Sequence, residues 1–397
     1  MFNDISPAPA DPILGLTEAF KADTNPNKIN LGVGVYKDAS GATPILSCVK
    51  KAEATLLETE KTKGYLPING SAGYAKGVQG LLFGADSGLV AVGRVATAHT
   101  PGGTGGLRVG AEFLKKFRPD AKIWMSNPTW ANHKGVFGSA GLELASYPYY
   151  CAETRGLDFE AMLAALKAVP AGDIVLLHVT CHNPTGVDPT VEQWQQIAEV
   201  AGEAGWLPFF DFAYQGFGVS VEEDRKPLEL FAAKGLEFVV ASSCSKNFGL
   251  YNERVGGFSL VGHSAEAVSA AFSHVKSVIR TNYSNPASHG GAIVDTILAS
   301  AELTQEWLGE LAEMRDRIKA MRGVLVAGLQ QRGVDMDFGF IERQNGMFSF
   351  SGLSDEAVAT LQADQAIYIV KGGRINVAGI TPGNADYLCD AIAGVLK

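Results

Sequence analysis

Lys246 follows an apolar run and three hydroxyl or thiol residues, Ser243, Cys244 and Ser245. A lysine held at a strand end beside polar groups can have a lowered pKa and attack carbonyls. Taken alone it reads as a solvated loop lysine, but its company changes that. Ser243, Ser245 and, eight residues on, Arg254 together suit a phosphate. Asp211 ends an almost unbroken apolar run (FFDFAY). A carboxylate there is costly without a cationic partner, and a protonated pyridine ring would be a fitting one. The competing reading is an N-cap or turn aspartate. Tyr214, three residues on, is in reach of the same ligand.

PGGTGG (101–106) precedes a plausible helix, Gly105–Phe117, where glycines let backbone N–H groups approach an anion. A simple tight turn explains it equally well. It is not a dinucleotide fingerprint, because Arg108 stands where a third glycine is needed, and no Walker A lysine follows. Ser243-Cys244-Ser245-Lys246 matches S-x-x-K, the nucleophile signature of penicillin-binding proteins. That motif opens a helix and has S-D-N and K-T-G partners, whereas here the preceding run is β-like and both partners are missing. His178, Cys181 and His182 look metal-like, yet lack helical spacing or an H-E-x-x-H, so satisfied or packed histidines are the better reading and no metal is expected.

These residues need elements to hold them. Lys122–Ser126, Leu142–Tyr149, Asp173–Thr180, Trp206–Phe212, Glu237–Ser242 and Gly257–Val261 read as strands. Between them, Asp158 looks like the N-cap of a helix at Phe159–Ala168, and Thr190 with Gln193 like a capping box for 191–204. The alternation predicts an α/β fold with a largely parallel sheet covered on both faces. Polar segments follow the strands at 101–106, 127–130, 181–186, 211–216 and 242–247. Open α/β sheets bind ligands beyond the carboxyl ends of their strands, so these segments would make one site. After a long helical pattern from Leu303 to about Gln331 come short strands at Met347–Ser351, Ile367–Val370 and Arg374–Val377, which predict a second, α+β domain.

Composition bounds the function. The 397 residues carry 33 Lys plus Arg against 42 Asp plus Glu, a net charge of −9, which argues against general nucleic-acid binding. Apolar residues make up 46% and charged ones 19%, enough for a large core. The 46 glycines exceed the roughly 28 expected at an average near ~7%. Five scattered cysteines without a C-x-x-C pair exclude a disulfide framework and a zinc ribbon. Met1–Ala10 lacks a secretory pattern and no apolar run approaches the length of a membrane span, so a cytoplasmic protein with no membrane partner is expected.

SSCSKNFGLYNERVG (242–256), CHNPTG (181–186), DFAYQGF (211–217), SNPTWANH (126–133) and RINVAG (374–379) resemble class I pyridoxal-phosphate aminotransferases, in particular the aspartate and aromatic subgroup. The resemblance extends to DPILGL (11–16) and NLGVGVYKD (30–38) and so covers nearly the whole chain. It implies the type I fold of these enzymes: a large domain (44–313) with a mixed, mostly parallel sheet flanked by helices, and a small α+β domain from 1–43 and 314–397. It implies pyridoxal 5'-phosphate as cofactor. Lys246 would be the Schiff-base lysine and then the acid–base group. Asp211 would pair with the pyridinium nitrogen, supported by His133. Asn183 and Tyr214 would donate to the phenolic oxygen, Trp130 would stack on the ring, and Ala213 would leave room on its other face. Gly103, Thr104, Ser243, Ser245 and Arg254 would hold the phosphate. Gly34, Trp130, Asn183 and Arg374 would contact substrate, Arg374 taking the α-carboxylate. The family builds each site from two subunits, so Tyr65 would reach the neighbour's phosphate and Arg280 the neighbour's substrate side chain, which implies a homodimer.

By the same resemblance, Arg280 at the matching position would favour dicarboxylic amino-acid and 2-oxo-acid substrates. Asn285, Val35, Lys37, Thr43 and Thr104 also look aspartate-like, whereas Gly64, Cys244 and Pro286-Ala287 depart from the usual residues. The expected reaction is aspartate:2-oxoglutarate aminotransfer by a ping-pong course, the alternative an aromatic or dual-specific aminotransferase. From other classes stand an acyl-transfer enzyme on S-x-x-K and a catalytically silent ligand-binding protein.

Overall fold

The computed structural model describes residues 2–7 and 12–396. Asp11, which opens the DPILGL run, and residues 1, 8–10 and 397 lie outside the described residues. The chain forms two compact units, Pro44–Asp316 and Met1–Thr43 with Arg317–Lys397. The helix Ala301–Gln331 runs through the division at 316/317.

The larger unit is built on seven strands. Val95–Pro101, Val255–Val261, Phe238–Ser243, Leu207–Phe212, Ile174–His178, Lys122–Asn127 and Glu143–Pro148 lie side by side in that order. The last five are parallel, and Val255–Val261 is antiparallel to both its neighbours. The central strands are apolar on both faces because helices cover both: all five residues of Ile174–His178 are buried. Val95–Pro101 is a strand that the sequence pattern does not predict. Its VATAHTP sequence mixes small and hydroxyl residues, and only pairing with Val255–Val261 gives it a place.

Local signals behave as their chemistry requires. Thr190 and Gln193 form a reciprocal capping box, and Gly205 closes that helix in the left-handed region (φ 76°). Asp158 accepts from the Ala161 N–H. The helix expected at Gly105 begins at Gly102 instead. Its glycines are there for packing: a Cβ at Gly110 would fall 2.5 Å from Phe209 and 2.6 Å from Phe258. Phe209 is fully buried, with ring centroids 5.7 Å from Phe137 and 6.3 Å from Phe258.

The smaller unit pairs Ile29–Asn30 in parallel with Ile367–Tyr368, and Phe348–Phe350 antiparallel with Arg374–Asn376. Helices Asp355–Gln365 and Ala385–Leu396 pack on each other. Among the described residues no helix is long and apolar enough to cross a membrane.

Candidate active site

The parallel strands end along one edge of the sheet, and register fixes who meets whom there. His178 lies opposite Asp211, Phe212 opposite Ser242, and Ser243 opposite Gly256. Segments 128–131, 179–186, 213–219 and 244–249 therefore leave the same edge, and Pro101 joins them through its pairing with Val255.

Lys246 stands three residues beyond the end of Phe238–Ser243, half-buried, its Nζ 4.7 Å from the centroid of the buried Tyr214 ring. Burial lowers its pKa to about 8; the Asp211 charge opposes that shift and the Arg254 charge adds to it. Asp211 is 9% exposed. Burial pushes its carboxyl up, but the hydrogen bond and charge of His133, with Lys246, outweigh that and leave it below the usual carboxylate range. His133 Nε2 is 2.9 Å from Asp211 Oδ2, and Nδ1 is 2.8 Å from Thr129 Oγ1, which is also 3.1 Å from His178 Nε2. An ionised carboxylate only accepts, so Nε2 of His133 is the donor. Burial holds His178 neutral, down to about 3. Thr129 thus links His178 to His133, and through His133 to Asp211. The Trp130 and His133 rings are nearly perpendicular, their centroids 5.2 Å apart at 87°.

An anion cradle lies beside these groups. The helix Gly102–Phe117 starts without a side-chain cap, leaving the N–H groups of its first turn, with Gly103 and Thr104, free of an intrahelical partner. Gly102 has φ +72°, and a Cβ there would fall 2.3 Å from Nη2 of Arg254; one at Gly103 would fall 3.1 Å from Cβ of Ser243. Arg254 is exposed, itself at φ +56°, and donates to Ser245 Oγ at 3.2 Å and to the Tyr251 carbonyl at 3.0 Å. Helix terminus, two buried serines and one guanidinium thus converge. Asn183, in a cis peptide with Pro184, is buried in the loop after the neighbouring strand. Ser243 closes a strand and opens no helix, so the S-x-x-K geometry is not present. Cys244 is buried 3.8 Å from Tyr74 Oη, and burial pushes its thiol up to about 12, which leaves it no nucleophile.

Tyr65 is 95% exposed, and Arg280, in the last turn of Ala265–Asn282, is exposed and donates to Ser284. Neither is hydrogen-bonded to the Lys246 group. In the smaller unit Arg374 is buried, donates to the Gly32 carbonyl and lies 4.5 Å over the Phe348 ring. Gly34 is fitted to the same ring: a Cβ there would fall 2.6 Å from it. Sequence reasoning missed Thr129, whereas His178 and His182 are the satisfied, packed histidines it read them as. His178 is bonded to Thr129, and His182 lies between Ser126 (2.9 Å) and Thr185 (2.8 Å). Among the described residues no group of three or more His, Cys, Asp or Glu is arranged to hold a metal ion.

The family model for aminotransferases of class I and II matches residues 26–392, and the chain belongs to that family. It is a fold type I aminotransferase. Particular relatives narrow the comparison. The chain is 57% identical over 396 residues to an aspartate aminotransferase of Salmonella typhi, covering 100% of each. It is 45% identical to an aromatic-amino-acid aminotransferase of Pseudomonas aeruginosa, covering 99% of this chain and 98% of that one. A crystal structure of an aromatic-amino-acid aminotransferase from Burkholderia pseudomallei, covalently bound to pyridoxal phosphate, superposes with a TM-score of 0.98 at 51% identity over all of both chains.

Proposed function

We propose that this aminotransferase moves the amino group of L-aspartate to 2-oxoglutarate, reversibly and by a ping-pong course, with pyridoxal 5'-phosphate bound at Lys246. The observation that carries the reading is the lysine: its pKa lowered to about 8, its Nζ lies over the Tyr214 ring and feels the charges of both Asp211 and Arg254. The residues fit the cofactor. An uncapped helix start with Ser243, Ser245 and Arg254 suits a phosphate, and a buried carboxylate kept anionic suits a protonated ring nitrogen. When bound, pyridoxal phosphate supplies a sink for the electron pair left when the substrate α-carbon loses its proton.

The chain's own groups do the rest. Gly103, Thr104, Ser243, Ser245 and Arg254 hold the phosphate. Asp211 accepts from the ring nitrogen, and His133 keeps that carboxylate oriented and charged. Asn183 and Tyr214 donate to the phenolic oxygen, and Trp130 covers a ring face. Nζ of Lys246 holds the proton that leaves the α-carbon. Arg374 takes the substrate α-carboxylate, with Gly34, Trp130 and Asn183 as further contacts. Residues 44–316 act as the cofactor domain, and the other unit as the small domain. Tyr65 and Arg280 serve the site of a second copy, so the enzyme works as a homodimer, and we place it in the cytoplasm.

Aromatic amino acids are the second reading, favoured by the 45% and 51% identities to aromatic-amino-acid aminotransferases. The test is kcat/KM for aspartate and phenylalanine in the wild type and in Arg280→Ala. Loss of a charge-assisted pair should cost aspartate roughly 10- to 150-fold. Phenylalanine should change far less. Equal losses would remove Arg280 from substrate recognition.

A further inference from the structure

Two carboxylates outside the reacting cluster hold the loops that carry Asn183 and Tyr214. Asp188 accepts the N–H of Cys181 at 2.8 Å and of His182 at 2.9 Å, so it spans the turn just before Asn183. Cys181 is left-handed there, at φ +55°, a backbone conformation that needs outside support. Asp224 is 5% exposed, and its Oδ2 accepts from Gly216 at 2.8 Å and Gly218 at 3.0 Å while Oδ1 accepts from Val219 at 2.8 Å. That fixes the segment just after Tyr214.

The two clamps approach each other at Gly218. Thr180 donates its hydroxyl to Asp188 Oδ2 at 3.3 Å. A Cβ on Gly218 would fall 2.6 Å from that same hydroxyl and 2.5 Å from Asp224 Oδ1. Only a residue without a side chain lets Thr180, on the first loop, and Asp224, holding the second, close on one point. Both oxygens of each carboxylate are engaged, so an amide cannot replace either acid without turning an N–H₂ toward a protein donor.

We infer that Asp188 and Asp224 are positioning residues that act as one unit, through Thr180 and Gly218, to set Asn183 and Tyr214 against each other. They touch neither substrate nor cofactor in this scheme. Only the consequence for the cofactor rests on the aminotransferase reading; the coupling of the two loops does not.

The experiment separates the two. Hydrogen exchange of segments 179–187 and 213–219 is followed in the protein without cofactor, for the wild type and Asp224→Asn. The coupled clamp predicts that protection falls about tenfold in both segments, although the substitution touches only the second. Loosening confined to 213–219 would overturn the inference. Should Asp224→Asn fail to fold, Thr180→Val, which keeps both carboxylates, decides by the same comparison in reverse, with loss expected to reach 213–219. With pyridoxal phosphate added, the visible band at Lys246 is then titrated against pH. Displaced Asn183 and Tyr214 should raise its apparent pKa by about half a unit or more. A variant with a lower Tm but an unshifted band would show that the carboxylates only stabilise the fold. A wild type without any band would instead refute the cofactor assignment, while the exchange result still judges the clamp.

Discussion

Replacing Asp211 with asparagine should make Lys246 a better nucleophile at neutral pH in protein prepared without cofactor. Burial brings the lysine to about 8 from an ordinary 10.5. At pH 7 a group of pKa 8 is about one-tenth neutral, against about one part in 3,000 at 10.5, so the site raises the reactive amine about 300-fold. The Asp211 charge works against this, because an anion favours the ammonium. An opposite charge at close range is worth 1–3 pKa units; the lower end applies because His133 already engages this carboxylate, giving a fall of about one unit. Lys246 would then titrate near 7 and be about half neutral at pH 7, roughly a fivefold gain over the wild type. The assay is competitive labelling with trace acetic anhydride from pH 5 to 11, with the Lys246 peptide quantified by mass spectrometry. Arg254→Gln is the control of opposite sign, since the guanidinium lowers the lysine and its loss should raise the inflection. A wild-type inflection near 10.5, or an upward move in Asp211→Asn, would refute the electrostatic account of this lysine.

Two further outcomes follow from the packing. Burial depresses His99 to about 4 and His178 to about 3, so both are neutral in the folded chain and ionise when it unfolds in acid. The stability they contribute is complete above about pH 6.5 and is lost as pH falls through 5 toward their folded values, by up to about 1.4 kcal/mol per pH unit for each. Urea midpoints between pH 7.5 and 4.5 should therefore fall, with a shallower slope in His99→Gln; an unaltered slope would discount His99. Phe209→Ala removes a fully buried ring from between Phe137 and Phe258 and should cost about 3–5 kcal/mol in urea unfolding; a loss under about 1 kcal/mol would mean that the core refills the space.

Much of this was legible in the chain. Buried strands such as Ile174–His178 announce themselves by unbroken apolar runs, and Thr190 with Gln193 declares a helix start by local hydrogen bonding. Lys246, Asp211 and Tyr214 could be picked out because each is a polar residue at the end of an apolar run. Val95–Pro101 and the early start at Gly102 were not legible, since VATAHTP mixes strand-favouring Val and Thr with helix-favouring Ala, and glycine disfavours a helix start. The strand takes its form because Val255–Val261 offers a pairing edge, and the first helical glycines fit because Arg254 and Ser243 lie where a side chain at Gly102 or Gly103 would stand.

Residue types and order decided the chemistry on offer: a lysine after serines, a carboxylate in an apolar run, arginines suited to phosphate and carboxylate. These depend on covalent identity and short spacing, so a linear reading reaches them. The ionisation of Lys246, the Thr129 link between His133 and His178, and the meeting of Thr180, Asp224 and Gly218 were decided by the tertiary structure alone. Each depends on distances between residues far apart in the chain, fixed by strand register and burial. Field strength and hydrogen-bond direction follow those distances and have no counterpart in residue order.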